Sequence, residues 1–130
     1  MNSVNLMEKF SLFNEYWTPK IVGELNGQQV KLAKLQGEFV WHTHENEDEM
    51  FFVVIGKLII EIKNKPRIID ENQEIKTIII NENEFFIVPR GIEHKPIAND
   101  EVWIMLFEPA TTFHTGDVVS EITKYELEKI

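Results

Sequence analysis

The chain contains no cysteine among its 130 residues. Disulfides, iron–sulfur clusters, cysteine-ligated zinc and thiol nucleophiles are therefore excluded. Basic residues are also few, since 13 Lys and Arg stand against 22 Asp and Glu, and the formal net charge is −9. A phosphate-binding surface needs clustered positive charge, so this balance argues against nucleic acid and anionic membranes as partners.

Long apolar runs are missing as well. No stretch approaches the roughly 20 apolar residues that a membrane helix requires. The first ten residues lack the early positive charge and unbroken apolar run of a secretory signal. We therefore expect a cytoplasmic protein. With 43% apolar and 27% charged residues, the chain is expected to fold as one domain, residues 1–130, around one core.

Short runs rich in Ile, Val and Phe, separated by turn residues, dominate the sequence. They are Ile21–Leu25, Val30–Leu35, Phe51–Ile55, Leu58–Ile62, Ile75–Ile80, Phe85–Val88 and Val102–Phe107. Such runs predict about eight to ten strands at a spacing of roughly 8–12 residues, which is typical of a sandwich or barrel. The sequence therefore predicts an all-β fold.

The two ends of the chain differ from these runs. The N-terminal segment, residues 1–19, has apolar residues spaced by four and three at Leu6, Phe10 and Phe13. This spacing predicts one or two helical turns. Residues 108–130 form a C-terminal extension, whose last part, Thr123–Ile130, fits a strand or a short helix equally well.

Two-residue turn signals stand at Asn26-Gly27 and Gly56-Lys57. A hairpin at the second turn would place Ile55 opposite Leu58, so that alternate residues from there share one face. That face is apolar apart from one residue and consists of Glu49, Phe51, Val53, Ile55, Leu58, Ile60 and Ile62. A lone carboxylate on an apolar face is costly unless it is paired or coordinated, so a cation is its natural partner.

Three of the four histidines lie in two places that can support metal chemistry. In an extended strand the side chains of His42 and His44 would point the same way, about 7 Å apart. His94 follows a turn at Pro89-Arg90-Gly91. Neutral imidazoles with one carboxylate suit Fe(II), Mn, Co, Ni, Zn or Cu, and the residues alone do not choose among these metals. Four protein ligands would leave two positions of an octahedron for water, substrate or oxygen.

Other charged residues have simpler interpretations. Asp48 competes with Glu49 for the ligand role, and the apolar face favours Glu49. His114 lies in a polar loop and is expected at the surface. Arg67 and Arg90 are the only arginines and are also expected at the surface, with Arg90 the main candidate for a positive group near the barrel mouth.

The aromatic residues expected in the core are Trp41, Phe51, Phe85, Trp103 and Phe107.

These residues and spacings resemble those of a small single-domain cupin of the RmlC-like jelly-roll superfamily. The first cupin motif runs Gly, five residues, His-x-His, three or four residues, Glu, six residues, Gly. It matches Gly37 to Gly56, except that Gly37 is one residue closer to the His-x-His element than in the written pattern. The second runs Gly, five residues, Pro-x-Gly, two residues, His, three residues, Asn. It matches Asn83 to Asn99, with Asn83 in place of glycine and Ala98 in place of asparagine. The two motifs occupy residues 37–99.

The resemblance implies a jelly-roll barrel, also called a double-stranded β-helix, with His42, His44, Glu49 and His94 as metal ligands. It also implies a homodimer. Consistent with that, Met50, Phe52, Val54 and Ile59 make the outer face of the same strands apolar, and we expect the N-terminal segment or a second subunit to cover it. The stretch from Val102 to Pro109 further resembles cupins related to mannose-6-phosphate isomerase, a fold-level label.

Two functions remain open from the sequence. The first is a metal-dependent enzyme, dioxygenase-like or isomerase-like, that acts on a small molecule. The second is a non-catalytic cupin module that binds or senses a small ligand or a metal. The apolar inner face predicts a small, largely apolar or aromatic ligand that carries a carboxylate, enol or carbonyl. Beyond the four ligands, no general base can be assigned, and two arginines argue against a sugar-phosphate pocket.

Overall fold

A computed structural model describes residues 1–63, 74–112, 116 and 126–130, so Arg67 and His114 lie outside the described residues. The chain begins with a five-residue helix and continues as strands. These elements are α1 (Leu6–Phe10), β1 (Lys20–Leu25), β2 (Gln28–Glu38), β3 (Glu49–Ile55), β4 (Leu58–Lys63), β5 (Ile75–Ile80), β6 (Phe85–Val88) and β7 (His94–Pro109). The predicted all-β cupin barrel with a short N-terminal helix is confirmed. Within the described residues, no helix has both the length and the apolar character needed to cross a membrane.

Strand β7 holds the barrel together because it pairs with three other strands. The strand order is β1-β2-β7-β3-β6, and β4 pairs with β7 and β5. The first residues of β7, from His94 to Ile97, pair with β4, whereas the part from Trp103 to Phe107 pairs with β3. Strand β2 follows the other edge of β7. All these pairings are antiparallel, and together they form the jelly-roll barrel.

The two predicted hairpin turns have different outcomes. The Asn26-Gly27 hairpin is confirmed, since Leu25 pairs with Gln28 across it. The hairpin at Gly56 is wrong, because β3 pairs with β6 and β7 whereas β4 pairs with β5 and β7. Gly56 has a φ of 94°, and its N–H donates to Glu82 Oε1. The turn therefore carries the chain from one part of the barrel to another instead of folding it back.

The inner face predicted for β3 and β4 is nevertheless buried. Glu49, Phe51 and Val53 are buried on β3, and so are Leu58, Ile60 and Ile62 on β4, whereas Ile55 at the end of β3 is only partly buried. The alternation of side chains depends on the extended backbone of each strand and not on its hydrogen-bonded partner. The prediction of which residues face inward therefore holds even though the predicted pairing partner of the strand was wrong.

The N-terminal segment covers part of the outer face. Phe10 is fully buried there, stacks on Trp103 at 4.8 Å between ring centroids, and packs in one cluster with Phe13 and Leu32. Lys34 reaches the same segment and donates from Nζ to the Phe13 carbonyl at 2.8 Å. The segment thus has its own apolar contacts and a buried hydrogen bond to the barrel.

Among the described residues, the rest of the outer face is apolar and partly exposed. Met50 pairs with Ile87, and Phe52 pairs with Phe85, across β3 and β6. Phe85 is 59% exposed and Ile87 is 48% exposed. The prediction that Phe85 lies in the core is wrong, because β6 turns Phe86 and Val88 inward and the alternate pair outward. We refer to Met50, Phe52, Phe85 and Ile87 as the outer apolar patch.

The turn at Gly56 leads to a prediction about stability. A Cβ at this position would lie 2.9 Å from the Glu101 carbonyl oxygen and 3.3 Å from Val102 Cα. Gly56→Ala should therefore lower the free energy of unfolding by about 2–5 kcal/mol in chemical denaturation. Two costs add: the strain of a left-handed backbone at a residue with a Cβ, and the overpacking of that Cβ against the neighbouring strand. Gly27→Ala is the control, because Gly27 also has a positive φ but open space around it. That variant should lose only about 1–2 kcal/mol. Equal losses in the two variants would contradict this account of the turn.

Candidate metal centre

The four residues of the cupin motifs come together inside the barrel. Each offers one ligand atom, and these atoms lie within 4.8 Å of one another. We call this group the His/Glu cluster, and it consists of His42, His44, Glu49 and His94. All four side chains are buried, with none more than 5% exposed. They could hold one metal ion.

Backbone hydrogen bonds place His42 and His94 side by side. The N–H of each donates to the carbonyl of the other at 3.0 Å, which makes an antiparallel bridge at the first residue of β7. His42 forms an isolated bridge outside the named strands, so the regular strand predicted for His42 and His44 is not observed. Their ring centroids are 5.1 Å apart and the rings are perpendicular. Both rings belong to the same group of candidate ligand atoms, as the sequence predicted.

The second cupin motif also restrains the other two members of the cluster. The N–H of Gly91 donates to the His44 carbonyl at 2.8 Å. Glu49 opens β3, where it pairs with Val88 at the end of β6. The alternative ligand Asp48 lies outside the cluster, with its carboxylate accepting from the Arg90 N–H at 2.9 Å. The side chains of Asp48 and Arg90 are both more than half exposed.

Two of the imidazoles have their tautomer set by the backbone. His42 Nδ1 lies 2.9 Å from the Val40 carbonyl oxygen, and His94 Nδ1 lies 2.9 Å from the Ile92 carbonyl oxygen. A carbonyl only accepts, so Nδ1 carries the proton in both rings. In the neutral form of each ring Nε2 is therefore the lone-pair donor, and the Nε2 atoms of His42 and His94 are buried without a hydrogen-bond partner among the described residues. A metal ion would satisfy them, and the Nδ1–H bonds are of the kind that orient metal-binding histidines.

Charge within the cluster is concentrated on Glu49 and His44. Burial alone would raise the pKa of Glu49, but His44 and His94 hold that pKa well below its usual value. Burial likewise opposes a charge on His44, yet the negative charge of Glu49 and their hydrogen bond raise the pKa of His44. The two side chains meet at 2.7 Å, from His44 Nε2 to Glu49 Oε2. For His42, burial and the neighbouring His94 lower the pKa to about 3, so this ring stays neutral.

A second carboxyl group, which the sequence interpretation missed, lies beside the cluster. Glu108 is 1% exposed and accepts from Lys31 Nζ at 2.7 Å, and Lys31 is equally buried. Burial and the nearby charge of Glu49 raise the pKa of Glu108, although Lys31 opposes this shift. Alternation along the last strand could have revealed it, because Val102, Ile104 and Leu106 point inward and Glu108 continues that series.

A small apolar cavity of about 30 Å³ adjoins the cluster at His42 and Glu49. Trp17 and Phe39 form one side of it, with their rings stacked at 4.6 Å between centroids. The Trp17 indole N–H donates to the Gln36 carbonyl at 2.8 Å, and the Phe39 ring meets His42 edge-on at 5.4 Å. No sequence pattern indicated Trp17, because its position depends on contacts across the fold.

The C-terminal extension also reaches the cluster. Gly116 has a φ of 58°, and a Cβ there would collide with the Thr43 carbonyl oxygen and lie 3.0 Å from His42 Cδ2. Only glycine allows the backbone of the extension to approach this closely.

Comparison with solved structures places this architecture among cupins. A cupin-2 domain-containing protein from Shewanella frigidimarina NCIMB 400 is 40% identical in sequence and superposes with a TM-score of 0.72, over 82% of this chain and 93% of that one. Protein NMB1881 from Neisseria meningitidis is 28% identical with a TM-score of 0.67, over 84% of this chain and 100% of that one.

Sequence comparison agrees. The uncharacterized protein YdbB from Bacillus subtilis (strain 168) is 32% identical over 74 residues, and the match spans 57% of this chain and 57% of that protein. The family model described as the cupin domain matches residues 28–108, which include all four members of the His/Glu cluster and Glu108. The chain therefore belongs to the cupin family.

Proposed function

We propose that His42, His44, Glu49 and His94 bind one divalent transition metal, which the barrel presents to a small molecule. The observation that carries this proposal is the pair of Nε2 atoms on His42 and His94. Their tautomers are set by backbone carbonyls, and the Nε2 atoms are buried without a partner in the described part of the chain. Burying an unpaired nitrogen costs about 1–3 kcal/mol, and a metal ion removes that cost.

The charge of the cluster also supports a cation. Glu49 contributes one negative charge at a position that is only 3% exposed. Without a metal, His44 Nε2 lies 2.7 Å from this carboxylate, whose charge raises the pKa of His44, and a divalent ion can take the place of a proton there. Three imidazoles and one carboxylate suit Fe, Mn, Co, Ni, Zn and Cu alike. When bound, such a metal supplies a Lewis acid for a small molecule with an oxygen donor.

The cavity beside the cluster indicates the class of that molecule. Among the described residues, its lining is apolar apart from His42 and Glu49 and includes neither lysine nor arginine. We infer a small, largely apolar or aromatic ligand that carries a carboxylate, enol or carbonyl, and this lining argues against phosphorylated sugars. At about 30 Å³ the cavity holds one or two waters, so a ring-sized ligand requires the stacked Trp17 and Phe39 to move.

A metal-dependent enzyme, with dioxygenase-like or isomerase-like chemistry, is the function that this site supports best. Glu108 supports it as a second buried carboxyl group beside the ligands, whose pKa is raised by burial and by the charge of Glu49, and groups with shifted pKa values are common at functional sites. The second candidate is a binding or sensor module that holds a small ligand or a metal. The observation that favours it is the small volume of the cavity.

We also propose a homodimer built on the outer apolar patch. Phe85 and Ile87 lie on strand β6 at the edge of the sheet, and the N-terminal segment covers a different part of the outer face. A contiguous exposed apolar patch on a sheet marks an interaction surface, and symmetric dimers are the commonest soluble oligomers.

Metal binding can be tested by calorimetric titration of metal-free protein with Zn²⁺ or Co²⁺. Wild type should bind one equivalent per chain. Glu49→Gln and His94→Ala should each weaken binding by more than about 100-fold. Loss of a hydrogen bond to a ligand residue typically lowers metal affinity by about 10–100-fold, and loss of the ligand itself lowers it further. Asp48→Asn is the matched control for Glu49→Gln and should bind as wild type does, because Asp48 faces solvent beside Arg90. Absence of stoichiometric binding by wild type contradicts the proposal.

The ligand inference can be tested with salicylate, an aromatic carboxylate, as the probe. Zn²⁺-loaded wild type should bind it and metal-free protein should not. Trp17→Ala should strengthen binding several-fold by opening the cavity, whereas Trp41→Ala should not, since Trp41 does not line the cavity. Equal binding with and without metal contradicts docking on the metal, and tighter binding of glucose 6-phosphate than of salicylate contradicts the apolar pocket.

The dimer can be tested by sedimentation at micromolar concentration. Wild type should sediment at twice the 15.3 kDa mass of the chain. Phe85→Glu with Ile87→Glu should give monomers, because two buried charges would oppose the interface. Leu12→Glu is the control, since Leu12 is exposed in the N-terminal segment. A monomeric wild type overturns the dimer.

A further inference from the structure

A charged pair lies inside the barrel, where the surrounding side chains are apolar. Lys31 and Glu108 are each 1% exposed, and Lys31 Nζ lies 2.7 Å from Glu108 Oε1. Lys31 shares the inner face of β2 with Ala33 and Leu35, both of them in the apolar core. A buried ion pair gives little net stability compared with apolar residues of similar volume, so stability alone does not account for its presence.

The register of the sheet places this pair next to the His/Glu cluster. Met50 on β3 pairs with Phe107 on β7. Glu49 and Glu108 are the next residues of these two strands beyond that pair. Continuing the register by one residue would set them opposite each other, and directly opposite residues have Cβ atoms about 4.5–5.5 Å apart. Both side chains are buried, and burial together with the negative charge of Glu49 raises the pKa of Glu108. Glu49 therefore meets His44 on one side and Glu108 on another.

The contacts of Glu108 are those of a group that supports another residue. One of its oxygens accepts from Lys31, and the other has no hydrogen-bond donor among the described residues. Glu108 is not among the residues whose ligand atoms cluster within 4.8 Å. The positive charge of Lys31 allows a second carboxyl group to lie beside Glu49 at a buried position.

We propose that Lys31 and Glu108 form a buried clamp that positions Glu49 and thereby sets how tightly the His/Glu cluster holds its metal. The clamp rests on the proposed metal site and adds two positioning residues to it. A free glutamate side chain has three rotatable bonds, and the position of Glu108 beside Glu49 on the same buried face restrains Glu49 to the orientation in which it meets His44. Outer hydrogen bonds of this kind typically change metal affinity by about 10–100-fold.

Double substitutions separate positioning from simple stability. Lys31→Met with Glu108→Leu removes both charges together, so that neither is left unpaired, and it also removes the group that contacts Glu49. Lys31→Met with Glu108→Gln removes the ion pair but keeps an amide that can donate to Glu49. Lys20→Met with Glu128→Leu is the matched control, because Lys20 is a buried lysine paired with Glu128 at 2.9 Å outside the His/Glu cluster.

The measurements are thermal unfolding of the metal-free protein, calorimetric titration with Zn²⁺, and the visible absorption spectrum of the Co²⁺ form. The leucine double variant should stay folded, bind Zn²⁺ about 10–100-fold more weakly, and show an altered Co²⁺ spectrum. The glutamine double variant should recover most of the affinity and the wild-type spectrum. The Lys20→Met with Glu128→Leu control should match wild type in Zn²⁺ affinity and in the Co²⁺ spectrum.

The outcomes that overturn the clamp are specific. A folded leucine double variant with wild-type affinity and spectrum shows that the pair is only structural. If that variant does not fold, Glu108→Asp serves instead, because it keeps both charges and withdraws the carboxyl by one methylene. Its expected loss is about tenfold, and wild-type affinity in folded Glu108→Asp overturns the clamp. If wild type itself does not bind metal, the proposed metal site is wrong, and the proposed clamp, which rests on that site, is wrong as well.

Discussion

The buried negative charge on Glu49 is the constraint on which the rest of the site depends. The carboxylate lies at the end of an apolar wall, where an unpaired charge is very costly. His44 lies 2.7 Å from it, and the neighbouring Glu108 carboxyl is paired with Lys31. A metal ion at the cluster would replace the proton on His44 and complete this balance of charge.

The long strand β7 links this charge to the fold. It begins at His94, whose backbone bridges His42, and it continues to Glu108, which lies beside Glu49. Because the same strand also pairs with β2, β3 and β4, the geometry of the site depends on the register of the whole barrel. The cavity next to the cluster is lined mostly by apolar side chains, and the low local dielectric strengthens electrostatic interactions beside it.

Much of the fold followed from side-chain alternation and turn residues. The inner face of β3 and β4 was predicted correctly even though the hairpin at Gly56 was wrong, because alternation is a property of one strand and pairing is a property of the whole sheet. Glycine at a turn shows that the chain can turn there, but it does not show which strand comes to lie beside it. The convergence of His42 with His94 likewise needed the bridge between two distant segments.

The residues that were missed fall into two kinds. Glu108 could have been found, since it continues the inward series of its strand, but it was assigned to the C-terminal extension. Trp17 could not, because its place beside Phe39 results from the path of the N-terminal segment over the barrel. A short sequence pattern carries no information about contacts of that range.

The orientation of the two unpartnered imidazole nitrogens is the central claim, and side-chain NMR tests it most directly. Long-range ¹H–¹⁵N spectra of ¹⁵N-histidine protein, assigned with single substitutions, report which nitrogen of each ring carries the proton. The expected result is an unprotonated Nε2 in both His42 and His94 of the metal-free protein, and a shift of both resonances that is complete at one equivalent of Zn²⁺. A proton on Nε2 of either ring, or resonances that do not respond to Zn²⁺, would contradict the account.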